Sequence, residues 1–257
     1  MSVESALDNL RDGTVAALAR AVAELTAEAR AGAPEAPRYL ATLAAAGVGL
    51  PQSWARALSS LFAAALAGSD FARGQLTVLS GSPPPTAAQL GDPNYWRRLC
   101  AAVRIEDWLK PCEKRILSTS PDAMAIEGFL PDHVCAWIVG RAAGRSAETW
   151  TFDIVDSDVV LQLTRQRIAA TLGVTVAGLI DSRLLRHAAA PDGGAVGFLV
   201  YLDDGADGGG ARFAGQDVEH RSRAGDAFYS AAPDSDAAGD GTGKWVFSQR
   251  FRDRACV

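Results

Sequence analysis

Residues 195–213, AVGFLVYLDDGADGGGARF, decide the fold class of this chain. A run of apolar and aromatic residues ends at Tyr201-Leu202, an acidic, glycine-rich stretch follows, and a second short run ends at Phe213. Valines and aromatic residues bounded by Asp and Gly are typical of two strands joined by a turn. The stretch therefore predicts a β-hairpin in the last third of the chain.

Two further segments continue the pattern beyond this hairpin. Residues 223–229 read RAGDAFY, and residues 243–252 read GKWVFSQRFR. Each places a glycine beside a charged residue and then a run of aromatic or β-branched residues, which predicts a strand that begins after a turn. Together the segments predict a small antiparallel barrel over the C-terminal third.

Four short motifs in this region resemble the C-terminal half of the prolyl-4-hydroxylase-like iron(II)/2-oxoglutarate oxygenases. The motifs are Tyr201-Leu202-Asp203, residues 208–213 (GGGARF), Gly225-Asp226-Ala227 and Gly243-Lys244-Trp245. They correspond in order to the family's YLN, GGET-x-F, GDA and G-x-KW segments. The resemblance covers residues 126–254 and implies an α+β protein with a double-stranded β-helix domain, a jelly-roll or cupin-like fold.

The resemblance also implies an iron site that this sequence does not reproduce. The family binds iron through a His-x-Asp pair and a distant histidine, a set of two histidines and one carboxylate. No His-x-Asp occurs in the chain, whose three histidines are His133, His187 and His220. The segment 185–195, where the pair is expected, is shortened, and residues 233–242, where the distant histidine is expected, contain none. We expect a degenerate family member.

Three residues are candidates for binding or chemistry. The resemblance gives Lys244 the role of holding the distal carboxylate of 2-oxoglutarate, and Tyr201 is a second candidate cofactor-binding residue. A strand lysine that points into a barrel needs an anionic partner, because burying an unpaired charge is costly; a lysine that points outward needs none. His187 stands where the family often carries a 2-oxoglutarate-binding tyrosine, and it is the candidate catalytic residue, as a base, a lone metal ligand or a packed strand residue.

Three functions remain open at this point. In the first, the chain is a pseudoenzyme without a cofactor that binds a small carboxylate or a protein partner, or performs non-oxidative chemistry in the old pocket. In the second, it is an active oxygenase that uses Fe(II) and 2-oxoglutarate, with the metal relocated to His187 and to aspartates of the hairpin or of residues 234–240. In the third, the helical half is a scaffold.

The N-terminal half predicts helices. Thr14 and Ser53 precede amphipathic runs and are expected to cap them, and Asp158 is expected to cap a helix over residues 159–172. Short alanine-rich helices separated by glycines resemble a Sel1-type, TPR-like repeat, which offers an interaction surface or covers one side of the β domain. Residues 1–12 are expected to be a frayed start, and residues 105–117 to be a helix.

A proline-rich stretch, residues 81–93, predicts a linker, because its three consecutive prolines exclude helix. The predicted organisation is a helical region over residues 1–80, this linker, and the β domain over residues 94–257.

Composition restricts the class of partner. The chain of 257 residues has a formal net charge of −5, whereas binding to a phosphate backbone normally needs a basic face, so a nucleic-acid partner is not expected. No apolar run reaches the ~18 residues of a membrane-spanning helix, and the first residues lack the features of a signal peptide. The four cysteines stand at irregular spacings that match no zinc motif. We expect a cytoplasmic protein with no membrane partner.

Overall fold

The structure, a computed structural model, describes residues 2–119, 122–143, 148–186, 197–204, 210–213, 216–221, 223–231 and 245–252. Of residues 210–213 and 216–221 it describes the backbone alone. The chain divides into two units: Met1–Trp108 with Asp153–Thr164, and Leu109–Phe152 with Arg165–Val257.

The described helices are α1 (Val3–Asp12), α2 (Val15–Arg30), α3 (Ala36–Ala46), α4 (Trp54–Leu66), α5 (Asp70–Leu79), α6 (Ala87–Leu90), α7 (Pro93–Ala102), α8 (Ile105–Leu109), α9 (Asp132–Gly140) and α10 (Val159–Leu172). The described strands are β1 (Arg115–Thr119), β2 (Asp122–Ile126), β3 (Thr149–Phe152), β4 (Leu179–Arg186), β5 (Gly197–Tyr201), β6 (Gly210–Phe213), β7 (Gln216–Arg221), β8 (Ala227–Ser230) and β9 (Trp245–Phe251). None of the described helices is long and apolar enough to cross a membrane.

Three capping predictions are confirmed. Thr14 and Ser53 each accept a hydrogen bond from the backbone N–H three residues on, at 3.2 and 3.3 Å, at the starts of α2 and α4. Asp158 does the same for the N–H of Leu161 in α10, at 2.8 Å. These N–H groups have no partner inside their own helix, so the caps fix where the helices begin.

The N-terminal residues form a helix, and the prediction of a frayed start is wrong. Ser2 caps α1, and Ala6 and Leu10 are buried. They belong to one apolar cluster with Leu25 of α2 and Leu43 of α3. Packing against distant residues stabilises this helix, which its own sequence marks only by a short apolar stripe.

The first unit continues through the proline-rich stretch to Trp108. Helix α7, which follows that stretch, contacts α4 and α5. Its Trp96 is 1% exposed and lies under the Arg73 guanidinium, 5.5 Å from the ring centroid. Consecutive helices from α1 to α5 also contact one another in chain order.

The second unit is built on a seven-stranded sheet with the order β1-β2-β8-β5-β9-β4-β3. Every neighbouring pair is antiparallel, and β6 and β7 form a separate antiparallel pair. Helices followed by antiparallel strands make the protein an α+β protein, as the sequence predicts. The helix predicted over 105–117 is wrong in its second half: α8 ends at Leu109, before Pro111, and β1 begins at Arg115. A proline disfavours helix at the residue before it.

Side chains alternate between the two faces of this sheet. One face carries most of the buried aromatic rings, among them Phe198, Tyr229 and Phe247. The other, called here the Tyr201 face, carries smaller and polar residues toward one side. By register the Tyr201 face consists of Ala123, Ala125, Arg183, Leu185, Gly197, Leu199, Tyr201, Phe228, Ser230, Val246, Ser248 and Arg250.

Candidate functional site

Of the three candidate residues, Tyr201 lies in the described part of the structure, and His187 and Lys244 lie outside it. Tyr201 ends β5 and is 3% exposed, in one apolar cluster with Leu199 and Phe228. Its backbone N–H donates to the carbonyl oxygen of Asp226 at 2.9 Å. The environment is that of a core residue, and its role in binding a cofactor stays a prediction.

Several motif residues meet at the end of the sheet where Tyr201 lies, and we call this set the turn cluster. It consists of Leu130, Tyr201, Asp203, Gly225, Asp226 and Trp245.

Gly225 is held in the turn cluster by its backbone on both sides. Its N–H donates to the carbonyl of Tyr201 at 2.8 Å, and its own carbonyl accepts from the N–H of Leu130 at 2.9 Å. Its φ is +86°, and a Cβ at this position would lie 2.1 Å from the carbonyl oxygen of Leu130. Both the left-handed backbone and the close approach require glycine here.

Asp226 uses both carboxylate oxygens on backbone N–H groups. Oδ1 accepts from Gly128 and Oδ2 from Arg223, each at 2.9 Å. The residue is 8% exposed. A buried carboxylate with both oxygens engaged in this way fixes a turn, because charge-assisted hydrogen bonds are among the stronger ones.

Asp203 ties the end of β5 to the start of β9. Its Oδ2 accepts from the N–H of Trp245 at 3.2 Å, and the N–H of Leu202 donates to the carbonyl of Trp245 at 2.9 Å. The neighbouring Asp204 accepts from the N–H of Ala224 at 2.8 Å. The acidic residues on both sides of this turn therefore support backbone geometry.

Cys135 lies beside the turn cluster, in the first turns of α9. It is 1% exposed, and its Sγ is 4.0 Å from the carbonyl oxygen of Leu130. Burial, with the charges of Asp132 and Asp203 adding to it, raises the pKa of the thiol to about 12. At neutral pH the thiol is protonated, so Cys135 packs as a neutral side chain.

Donors for iron are not gathered in the part of the second unit that the structure describes. Across all the described ranges, no group of three or more His, Cys, Asp or Glu residues is placed to hold a metal ion. His133 is exposed at the start of α9, and the carboxylates of Asp203 and Asp226 accept from backbone N–H groups. The described residues do not fit a site of two histidines and one carboxylate.

A pair of arginines on the Tyr201 face was not singled out from the sequence. Nη2 of Arg183 in β4 and Nη1 of Arg250 in β9 lie 3.5 and 3.4 Å from the same atom, Oδ2 of Asp181. Their side chains are 24% and 29% exposed. Alternation along residues 245–251 puts Arg250 on one side with Val246 and Ser248, but only the strand register shows that Arg183 joins it.

No protein-family model and no curated protein matches the chain. Similar solved structures include a truncated viral collagen prolyl hydroxylase from Paramecium bursaria Chlorella virus-1, at 15% identity and a TM-score of 0.37, over 50% of this chain and 88% of that one. They also include a prolyl-4-hydroxylase from Pseudomonas putida, at 18% identity and a TM-score of 0.35, over 53% and 95% of the two chains. What this chain does must be inferred from its own residues.

Proposed function

We propose that this chain is a protein of the oxygenase-like β-fold that binds a small carboxylate and performs no iron-dependent hydroxylation. One observation carries the proposal: the sequence keeps the family-like motifs but has no His-x-Asp anywhere, and the matching residues Asp203, Gly225 and Asp226 are engaged with the backbone. In the described part of these motifs, the backbone hydrogen bonds of Asp203, Gly225 and Asp226 give each residue a role in folding.

Strand order supports the jelly-roll part of the proposal. The four central strands run β8-β5-β9-β4, so neighbours in the sheet are far apart in the chain, and the strands between them in sequence, β6 and β7, form a second sheet. Interleaving of strands between two sheets is typical of jelly rolls. The chain-order contacts of α1 to α5 support the further proposal that the helical unit is a Sel1-like or TPR-like stack.

Lys244 is the residue that we propose to hold the carboxylate. It directly precedes Trp245, whose N–H is bound by Asp203, so the motif's own backbone anchor lies next to it in the chain. A lysine ammonium is a compact charge with three donors and binds carboxylates through charge-assisted hydrogen bonds.

Calorimetry in the presence of a metal chelator tests this proposal. 2-Oxoglutarate, succinate and acetate are titrated into wild type, Lys244→Ala and Lys114→Ala. Lys114 is exposed at the start of the second unit and serves as the matched control. We expect iron-free binding of at least one acid, weakened roughly tenfold or more by Lys244→Ala and unchanged by Lys114→Ala. Absence of binding across the three acids, or a Lys244→Ala variant that weakens the binding of none of them, overturns the proposal.

A further inference from the structure

The arginine pair lies on the Tyr201 face. Arg250 lies four residues along β9 from Val246, which pairs with Tyr201. We propose that Arg183 and Arg250 form a binding site for the carboxylate group of a small organic acid, beside Gly197 and Ser248. This site involves neither Lys244 nor the turn cluster, and it goes beyond the function proposed above.

Unfilled donors are the first argument. Each guanidinium has five N–H donors, and both guanidinium groups are directed at one oxygen of Asp181. The Nε atoms of Arg183 and Arg250 are buried and have no hydrogen-bond partner among the described residues. A buried polar group without a partner costs free energy that a bound acceptor removes.

The small size of the neighbouring side chains is the second argument. In register, Arg250 stands opposite Gly197, which stands opposite Ser230, which in turn stands opposite Ala123. This row of small side chains runs across β5, β8 and β2; Gly197, opposite Arg250, is partly exposed, whereas Ser230 and Ala123 are buried. In the neighbouring row Arg183 stands opposite Ser248, so small side chains border both arginines.

Charge selects the class of ligand. Two guanidinium groups and one carboxylate sum to one net positive charge, and arginine stays protonated at all relevant pH values. A monoanion neutralises this set, whereas a phosphate dianion leaves excess negative charge in a partly buried place. The planar fork of a guanidinium also matches the two oxygens of a carboxylate.

The Nε–Hε groups of Arg183 and Arg250 can be followed directly by NMR. In the full-length protein labelled with 15N-arginine, the Nε–Hε resonances are followed while acetate is added at constant ionic strength, with chloride as the reference salt. The spectra of Arg183→Lys and Arg250→Lys, which lack one resonance each, assign the two peaks. Arg165 of α10 is an internal control, because its Nε is also buried and has no partner in the described part of the chain, while its Nη2 donates to the carbonyl of Leu179 at 2.8 Å.

We expect acetate to move the resonances of Arg183 and Arg250 and to leave that of Arg165 in place. Arg250→Gln weakens the acetate response of Arg183 roughly tenfold to a hundredfold, because one charge-assisted contact is lost. Lys244→Ala leaves it unchanged, which separates this site from the one proposed above.

Several outcomes overturn the assignment. Resonances that do not move, or that move equally with chloride, show that no carboxylate site exists at the pair. A response that disappears in Lys244→Ala places the ligand elsewhere, and tighter binding of inorganic phosphate than of acetate contradicts the choice of a carboxylate. The titration of wild type decides the question even if a variant does not fold.

Discussion

The turn cluster lies at one end of the sheet and the arginine pair lies on its Tyr201 face, and the two use their polar groups in different ways. In the turn cluster the carboxylates of Asp203 and Asp226 accept from backbone N–H groups, and Gly225 is constrained by a neighbouring carbonyl. At the pair, Arg183 and Arg250 contact one side chain and keep buried donors without a partner in the described structure.

The turn cluster holds strand ends in place, whereas the arginine pair is where we propose that a carboxylate binds. The described motif residues Asp203, Gly225 and Asp226 hold strand ends and turns together. Buried polar atoms without a hydrogen-bond partner among the described residues occur in both places: Oδ1 of Asp203 in the turn cluster, and Nε of Arg183 and of Arg250 at the pair. Substitutions in the turn cluster and at the arginine pair test this difference.

The largest effect is expected for Gly225→Ala. A side chain here is strained by the positive φ and collides with the carbonyl of Leu130, so the free energy of unfolding falls by about 3 kcal/mol or more. Denaturant unfolding measures this. The matched control is Gly173→Ala, with a φ of +77° and nothing within 4 Å of its Cβ, which costs only about 1–2 kcal/mol. Equal costs would show that the turn cluster is not tightly packed.

Asp226→Ala is expected to be the next in size. It removes two hydrogen bonds, from the N–H groups of Gly128 and Arg223 to a buried charged carboxylate, at a cost of about 2–3 kcal/mol in unfolding free energy. Asp204→Ala removes a similar acceptor from an exposed position and should cost less than about 1 kcal/mol. If the two variants unfold at the same denaturant concentration, the structural role of Asp226 is contradicted.

Cys135 predicts a loss of stability at alkaline pH. Burial and the nearby acidic charges raise its pKa from 9.0 to about 12, while the unfolded thiol ionises near 9. The contribution is therefore complete below about pH 9 and is lost as pH rises toward the folded pKa, by about 1.4 kcal/mol per pH unit. The unfolding free energy of wild type should therefore be lower at about pH 10 than at about pH 8. Tyr229 contributes strongly only at higher pH, because burial also raises its pKa to about 12.

Two variants identify the group responsible for this slope. Cys135→Ala should show a flatter dependence between the two pH values, whereas Cys112→Ala retains the wild-type slope because Cys135 is still present. A slope that persists in Cys135→Ala would assign the alkaline loss to another group.

The smallest effect on stability is expected at the arginine pair. Arg250→Gln removes a partly exposed ion pair with Asp181 and should change the unfolding free energy by less than about 1 kcal/mol. Thermal and denaturant unfolding of the variant check this. A loss as large as that of Asp226→Ala would show that the pair is a structural support and would remove the contrast.

Local signals in the sequence predicted the local structure well. Thr14, Ser53 and Asp158 cap helices as expected, because a cap depends on a hydrogen bond to a residue three positions away. The helix α1 and the strand β1 were not predicted, because the first is stabilised by packing on α2 and α3 and the second by pairing with β2.

The candidate site was less predictable than the fold. The motifs around Tyr201 and Gly225 indicated strands and turns, but not that their polar atoms bind backbone groups. The arginine pair has no local signal, because Asp181 and Arg250 are 69 residues apart and a register irregularity between Leu179 and Ser182 precedes the pairing of Arg183. Long-range register of this kind cannot be obtained from alternation within a single strand.

The most direct test of the central claim is an anaerobic iron(II) titration of the purified protein, followed by an assay for conversion of 2-oxoglutarate to succinate after air is admitted. Elemental analysis gives the bound iron per chain. We expect no stoichiometric iron and no succinate above the level of a protein-free control. One bound iron per chain together with turnover of 2-oxoglutarate would contradict it, and would identify an active oxygenase whose metal ligands differ from the His-x-Asp pattern.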